Sequence, residues 1–310
     1  MKTRLVVCVM LAVAAVTVAA ASATPRPAAY VLPGAAVFPE GVAFQPETGH
    51  FFVSSTSDGS ILRGHVSEPT AGPFIPGTTG QFSAIGLEID PAGRLYVAGG
   101  FTGTTRVYNA ASGMLLGTFT SGPGGFMNDV VVAKNGDVFV TDSFRPILWR
   151  IPAANVGSSG LLEPWLSYAG TPIEYTPEPA DFEVNGIVAS DDGRYLVVVQ
   201  ANTGKLFRIE IATKEVVEID VGGASVNGDG LQLLGRRLYA VADGGIVEVL
   251  LSGDLSRGEV VSRTTDPSFS SPTTNAIARG RMLVVNSQFD RLFGNQPPVL
   301  PFTVSTIPLP

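Results

Sequence analysis

Apolar and polar residues alternate along this chain in short bursts, and the bursts recur in a fixed order. From Gly41 the sequence GVAFQPETGHFFVSSTSDGSILRGHV reads as strand, Gly-containing turn, strand, loop, strand. The same order starts again at Gly86 (GLEIDPAGRLYVAGGFTGTTRVYN), Asp129 (DVVVAKNGDVFVTDSFRPILWRI) and Gly186 (GIVASDDGRYLVVVQANTGKLFRIEI). It returns at Gly230 (GLQLLGRRLYAVADGGIVEVLL) and at Asn275 (NAIARGRMLVVNSQFDRLF), so the starts lie 45, 43, 57, 44 and 45 residues apart. A period in the forties with three or four strands per unit is the signature of a β-propeller. The pattern therefore predicts an all-β fold, a six-bladed β-propeller occupying residues 28–310 as one domain. AAYVLPG at 28–34 is available as an extra strand to complete the last blade; closing the ring in this way removes an open strand edge.

The 57-residue interval carries an insertion, roughly Asn155 to Glu183, that holds Trp165, Tyr168, Tyr175 and Phe182. It reads either as a surface loop or as a lid, since long loops in compact domains tend to be functional. Ahead of the repeats, residues 1–23 have a basic start (Lys2, Arg4), an apolar run from Leu5 to Ala20 and small residues at Ala21-Ser22-Ala23. That is the pattern of a secretory signal peptide, and the expected location is secreted or otherwise extracytoplasmic. The single cysteine, Cys8, falls in this segment, so the processed chain would have no disulfide, thiolate metal site or cysteine nucleophile. Net charge is −7 with 15% charged residues and no basic run, which argues against nucleic acid or an anionic membrane as partner. A monomer acting on a small molecule is expected.

The residue before each repeat start is informative. In order these are Glu40, Ile85, Asn128, Asn185, Asp229 and Thr274. The first strand of each blade lines a propeller's central channel, so equivalent positions converge on the axis. Two carboxylates meeting there would repel and shift their pKa values unless a cation sat between them. Glu40, Asn128, Asn185 and Asp229 together make an all-oxygen site suited to a divalent cation, with Ca²⁺ the first expectation and other divalent ions the alternatives. The competing reading has these side chains bonding the channel walls without metal. Loops between second and third strands should bring Ser55, Phe101, Asp142, Arg145 and Gln200 to the channel mouth as a substrate pocket. There Arg145 could orient an anionic or carbonyl group or simply pair with Asp142.

The blade starts FPEGVAF, FMNDVVV, VNGIVASDDGRYLVV and VNGDGLQLLGRRLYAV resemble those of the senescence-marker-protein/gluconolactonase family, close kin of diisopropyl-fluorophosphatase. The resemblance spans about residues 36–290. It implies a six-bladed propeller with an axial calcium-type ion that hydrolyses lactones or phosphotriester-like esters. The family's ligand pattern falls on Glu40, Asn128, Asn185 and Asp229; by the same resemblance Asp229 is the general base or nucleophile and Asn128 the ligand nearest the substrate. Gly228 stands where the family often has Pro, and Val130 follows Asp129 where Gly is usual. The expected function is thus a secreted, calcium-dependent hydrolase of a lactone or related ester. The alternative is a non-catalytic binding module whose ion merely pins the blades.

Overall fold

A computed structural model describes residues 1, 26–77, 80, 83–176 and 182–310. The segment read as a signal peptide lies outside them, Met1 aside. Six sheets of antiparallel strands surround one channel, each running from an inner to an outer strand. The inner strands are Pro39–Gln45, Leu87–Ile89, Met127–Val132, Val184–Ala189, Gly228–Leu234 and Pro272–Ala278. The sixth sheet obtains its outer strand from the other end of the chain: Ala29–Leu32 pairs antiparallel with Phe302–Pro308, in the register Ala29↔Ser305 to Leu32↔Phe302. Closure by the N-terminal segment is therefore present as the repeat count predicts. Among the described residues, no helix is long and apolar enough to cross a membrane.

Successive side chains of a strand point to opposite faces, and in a propeller both faces of every blade are covered by neighbours. This explains continuous apolar runs such as His50–Ser55, HFFVSS. Phe51 and Val53 pack with Leu283 and Val285 of the sixth blade, whereas Phe52 packs with Leu95 and Val97 of the second. Hydroxyls tie the blades together nearer the axis. Ser54 accepts a hydrogen bond from Gly41 N at 2.7 Å and donates to Ile85 O at 2.7 Å. Thr141 does the same between Asp129 N, at 3.0 Å, and Asn185 O, at 2.7 Å.

The inner strands approach one another so closely that the residue after the axial position is usually glycine. A Cβ added at Gly41 would lie 2.3 Å from Ile85 O, and one at Gly186 would lie 2.2 Å from Asp229 O. Gly186→Ala should therefore push the Asp229 backbone off the axis. We expect a loss of about 1–3 kcal/mol, the usual cost of overpacking. Thermal melting alongside a calcium titration checks it, since displacement of Asp229 should weaken ion binding as well.

Two sequence expectations need correction here. Five inner strands share one β-bulge, with register shifts between Pro39 and Val42, Met127 and Val130, Val184 and Ile187, Gly228 and Leu231, and Pro272 and Asn275. In that register the sixth blade's counterpart of Glu40 is Thr273, not Thr274. Thr274 takes the position that Gly41, Gly186 and Gly230 occupy elsewhere, and without a glycine nothing in Thr-Thr-Asn marked the phase. The first half of the insertion, for its part, contributes strands to the blades. Glu163–Ser167 is the outer strand of the third sheet, and Gly160–Leu161 pairs in parallel with Phe119 and Thr120 of the second. Trp165 meets Phe139 edge-on at 4.7 Å within the core, and Tyr168 is buried beside it. Residues 177–181 lie outside the described part.

Candidate metal centre and substrate cavity

Glu40, Asn128, Asn185 and Asp229 each sit on the bulge of their blade, a device that re-aims a side chain out of the regular pleat, and Ile85 directly precedes its blade's inner strand. As a result Glu40, Ile85, Asn128, Asn185 and Asp229 line one cavity of about 210 Å³ together with Phe126, Phe182, Phe289 and Phe293. Four oxygen-bearing side chains thus converge from four separate blades.

The details bear on whether a cation fits. Glu40 is 5% exposed, and its Oε2 has no hydrogen-bond partner. Its Oε1 has Thr274 Oγ1 at 3.5 Å, the outer limit of a hydrogen bond. A buried carboxylate oxygen without a partner is costly unless something positive compensates it. Asn128 donates from Nδ2 to Ser143 Oγ at 2.8 Å, and that hydroxyl donates on to Val184 O at 2.8 Å. The amide nitrogen is thereby held against the wall, which leaves Oδ1 as the group for the cavity. Burial raises the Glu40 carboxyl well above its usual range, and the charges of Asp229 and Asp129 raise it further. Asp229 is pushed to about 7, again by burial first and Asp129 second, partly offset by a hydrogen bond from Asn185. Two acids strained towards neutrality, an orphaned oxygen and an amide turned oxygen-inward make a donor set that fits a hard divalent cation.

Asp129, the third repeat start, has a role that its spacing alone does not reveal. It stands at the glycine position of its blade, and its carboxylate accepts from Val130 N at 2.9 Å and from Ile187 N at 3.1 Å, joining the third blade to the fourth. Burial lifts its pKa to about 7. The clue was present as a carboxylate where other blades carry glycine. Further along the channel Glu88 is raised to about 8 by burial and by Asp129 and Asp90.

The residues expected at the mouth divide sharply. Phe101 does not line the cavity itself but is 54% exposed and edge-on to the lining residue Phe126 at 4.8 Å. Ser55, Asp142 and Gln200 do not line it either; all three are buried and occupied by the scaffold. Ser55 donates to Val37 O at 3.1 Å. Gln200 Nε2 donates to Glu174 O at 2.8 Å and to Glu183 Oε2 at 2.7 Å. Asp142 Oδ1 accepts from the backbone N–H groups of Phe126, Phe144 and Arg145 at 2.9–3.1 Å. Its Oδ2 accepts from Arg145 Nε at 2.7 Å and Trp149 Nε1 at 3.1 Å. Arg145 also donates to the Ser121 and Pro123 carbonyls and lies over the Trp149 ring, so of its two sequence readings the pairing with Asp142 is the one realised. The physical reason is common to all: a turn at the end of a buried strand leaves backbone N–H and C=O groups that the sheet does not satisfy, and polar side chains there are consumed in pairing with them and with one another. Asp142→Ala should accordingly destabilise the fold by about 3–5 kcal/mol, because it leaves a partly buried guanidinium and several amides unpaired. Urea unfolding measures this directly.

No protein-family model and no curated protein sequence matches the chain. Solved structures do. A gluconolactonase from Xanthomonas campestris superposes with a TM-score of 0.63 at 16% identity, covering 89% of this chain and 87% of that one. The calcium-binding protein regucalcin from Agrobacterium tumefaciens gives 0.64 at 16% identity, with 90% and 93% covered. The Malassezia sympodialis allergen Mala s 1 gives 0.69 at 11% identity, with 91% and 96% covered. Likeness at these identities speaks to architecture, and by fold the chain stands with the gluconolactonase and regucalcin six-bladed propellers, as its blade starts imply.

Proposed function

We propose that the protein is a secreted, calcium-dependent hydrolase that opens a lactone or a related ester at the axial cavity. The observation that carries this reading is the pairing of an orphaned buried carboxylate, Glu40, with a second raised carboxylate, Asp229, beside two amide side chains in one cavity. The fold shared with a gluconolactonase and with a calcium-binding regucalcin supports it. Glu40, Asn128, Asn185 and Asp229 would hold the ion. When bound, it supplies a Lewis acid for the substrate carbonyl and keeps Asp229 ionised near neutral pH.

The remaining work falls to the chain. Asn128, fixed by Ser143, orients the ester at the floor of the cavity. Asp229 either adds to the carbonyl carbon itself or takes the proton from an attacking water. On the base route the water oxygen bonds to the carbonyl carbon, the ester carbon–oxygen bond breaks, and the alkoxide leaves with the proton Asp229 took. On the nucleophile route the alkoxide leaves with a solvent proton, and a water then hydrolyses the mixed anhydride on Asp229, freeing the acid and restoring the carboxylate. Phenylalanine walls limit water at the reacting carbon.

The test is turnover of a panel of lactones and aryl esters by metal-free and calcium-loaded protein, with bound metal quantified. Calcium-dependent hydrolysis is expected. If the loaded protein binds metal but hydrolyses nothing, the binding-module reading replaces this one.

A further inference from the structure

Resting on that hydrolase reading, we infer that the substrate is an uncharged ester or lactone bearing a flat apolar group rather than a polyhydroxylated one. The cavity has two chemically distinct zones. Its polar atoms belong to Glu40, Asn128, Asn185 and Asp229, whereas Ile85, Phe126, Phe182, Phe289 and Phe293 form the rest. Among the described residues, no serine, threonine, glutamine or basic side chain contributes to that lining. A sugar-like lactone would bring several hydroxyls away from its reacting carbonyl, and each would lose water against phenylalanine without a replacement hydrogen bond. An apolar ring would instead leave water for matching surface.

Charge points the same way. Arg145 is engaged by Asp142 and two backbone carbonyls, and Arg291, on the helix that carries Phe289 and Phe293, donates to Pro297 O at 2.9 Å. An anionic group on the substrate would find no basic side chain among the described residues of that lining. Size sets the scale: a dry cavity of about 150 Å³ is enough for benzene, so about 210 Å³ accommodates one aromatic ring joined to a small lactone.

The two aromatic walls are braced from behind, which suits them to shape selection. Phe126 is edge-on to Phe101 at 4.8 Å and to Phe182 at 4.9 Å, and Asp142 holds its backbone N–H. Across the cavity, Phe289 and Phe293 lie 5.4 Å apart on the short helix Phe289–Phe293. Gln288 secures the loop that carries them, accepting from Val299 N at 2.7 Å and donating to Val299 O at 2.8 Å.

The experiment compares kcat/KM of the calcium-loaded full chain for dihydrocoumarin and glucono-δ-lactone. Dihydrocoumarin should be preferred by about 100-fold or more, the scale on which unpaired polar groups and apolar contacts discriminate. Phe289→Ser/Phe293→Ser should erode that preference at least tenfold, with the loss appearing in KM. Phe293→Ser alone, at a side chain already 65% exposed, gives the same direction if the double variant misfolds. Equal or faster turnover of glucono-δ-lactone overturns the inference and leaves the hydrolase reading intact. If neither lactone is hydrolysed, the hydrolase reading fails, and calorimetry with the corresponding lactams decides the cavity's preference. Binding of 3,4-dihydro-2-quinolone but not of gluconolactam upholds it; the reverse, or no binding of either, overturns it.

Discussion

Asp229→Asn should retain the fold and part of the metal affinity while losing most turnover, by about 10²–10⁴-fold if only the general base is removed. Asparagine keeps the size and one oxygen donor but cannot take a proton or attack a carbonyl. The substitution carries a second signature. Asp229 is held above its usual range by burial and by Asp129, and its charge in turn raises Glu40. Neutralising it should make the metal-free protein more stable at pH 8 than metal-free wild type, even as activity collapses. Glu40→Gln should behave differently, losing activity through weaker ion binding, so that excess calcium restores part of it. Activity, bound metal and melting temperature across a calcium titration separate the two. Full activity of metal-loaded Asp229→Asn would remove it from the chemistry.

Chelation is expected to lower the melting temperature, and more so at pH 8 than at pH 5. An ion present at a hundred times its dissociation constant adds about 2.7 kcal/mol, which corresponds to about 5 °C for a domain of this size. The pH dependence follows from linkage. Both carboxyls have folded-state pKa values raised above their unfolded ones, so the folded, metal-free protein binds more protons than the unfolded chain in the interval between. Stability of the metal-free form is then full below about pH 4 and declines as pH rises through about 7. A cation reverses this by favouring the ionised carboxylates, so its benefit grows over the same interval. Melting curves with and without chelator at the two pH values test the idea; an unchanged melting temperature at pH 8 would show that no ion is held at this axis.

The architecture was legible because its cause is periodic. Each blade must bury both faces, turn with glycine and return to the axis, and those demands repeat every forty-odd residues. The axial set from Glu40 to Asp229 was legible for the same reason, since topology brings equivalent positions together whatever the intervening loops do. Phase was lost only in the sixth blade, where Thr273 and Thr274 stand without a glycine to mark the tight approach. The mouth was harder. Asp142 and Gln200 look like recognition groups in sequence, yet their partners are backbone amides and Glu183, chosen by turn geometry that no spacing reveals. The helix bearing Phe289 and Phe293 is five residues long, too short to leave a periodic trace.

The clasp between Ala29–Leu32 and Phe302–Pro308 also dictates a timetable. Ala29–Leu32 precedes every other described strand and waits for Phe302–Pro308, so five blades can order while the sixth still lacks its partners. Bringing the two ends together costs loop-closure entropy that nothing repays until nearly the whole chain is available. The ring therefore locks in a single late event. Until then the partly built sixth sheet presents an unpaired edge, the kind of surface on which strands of other chains pair.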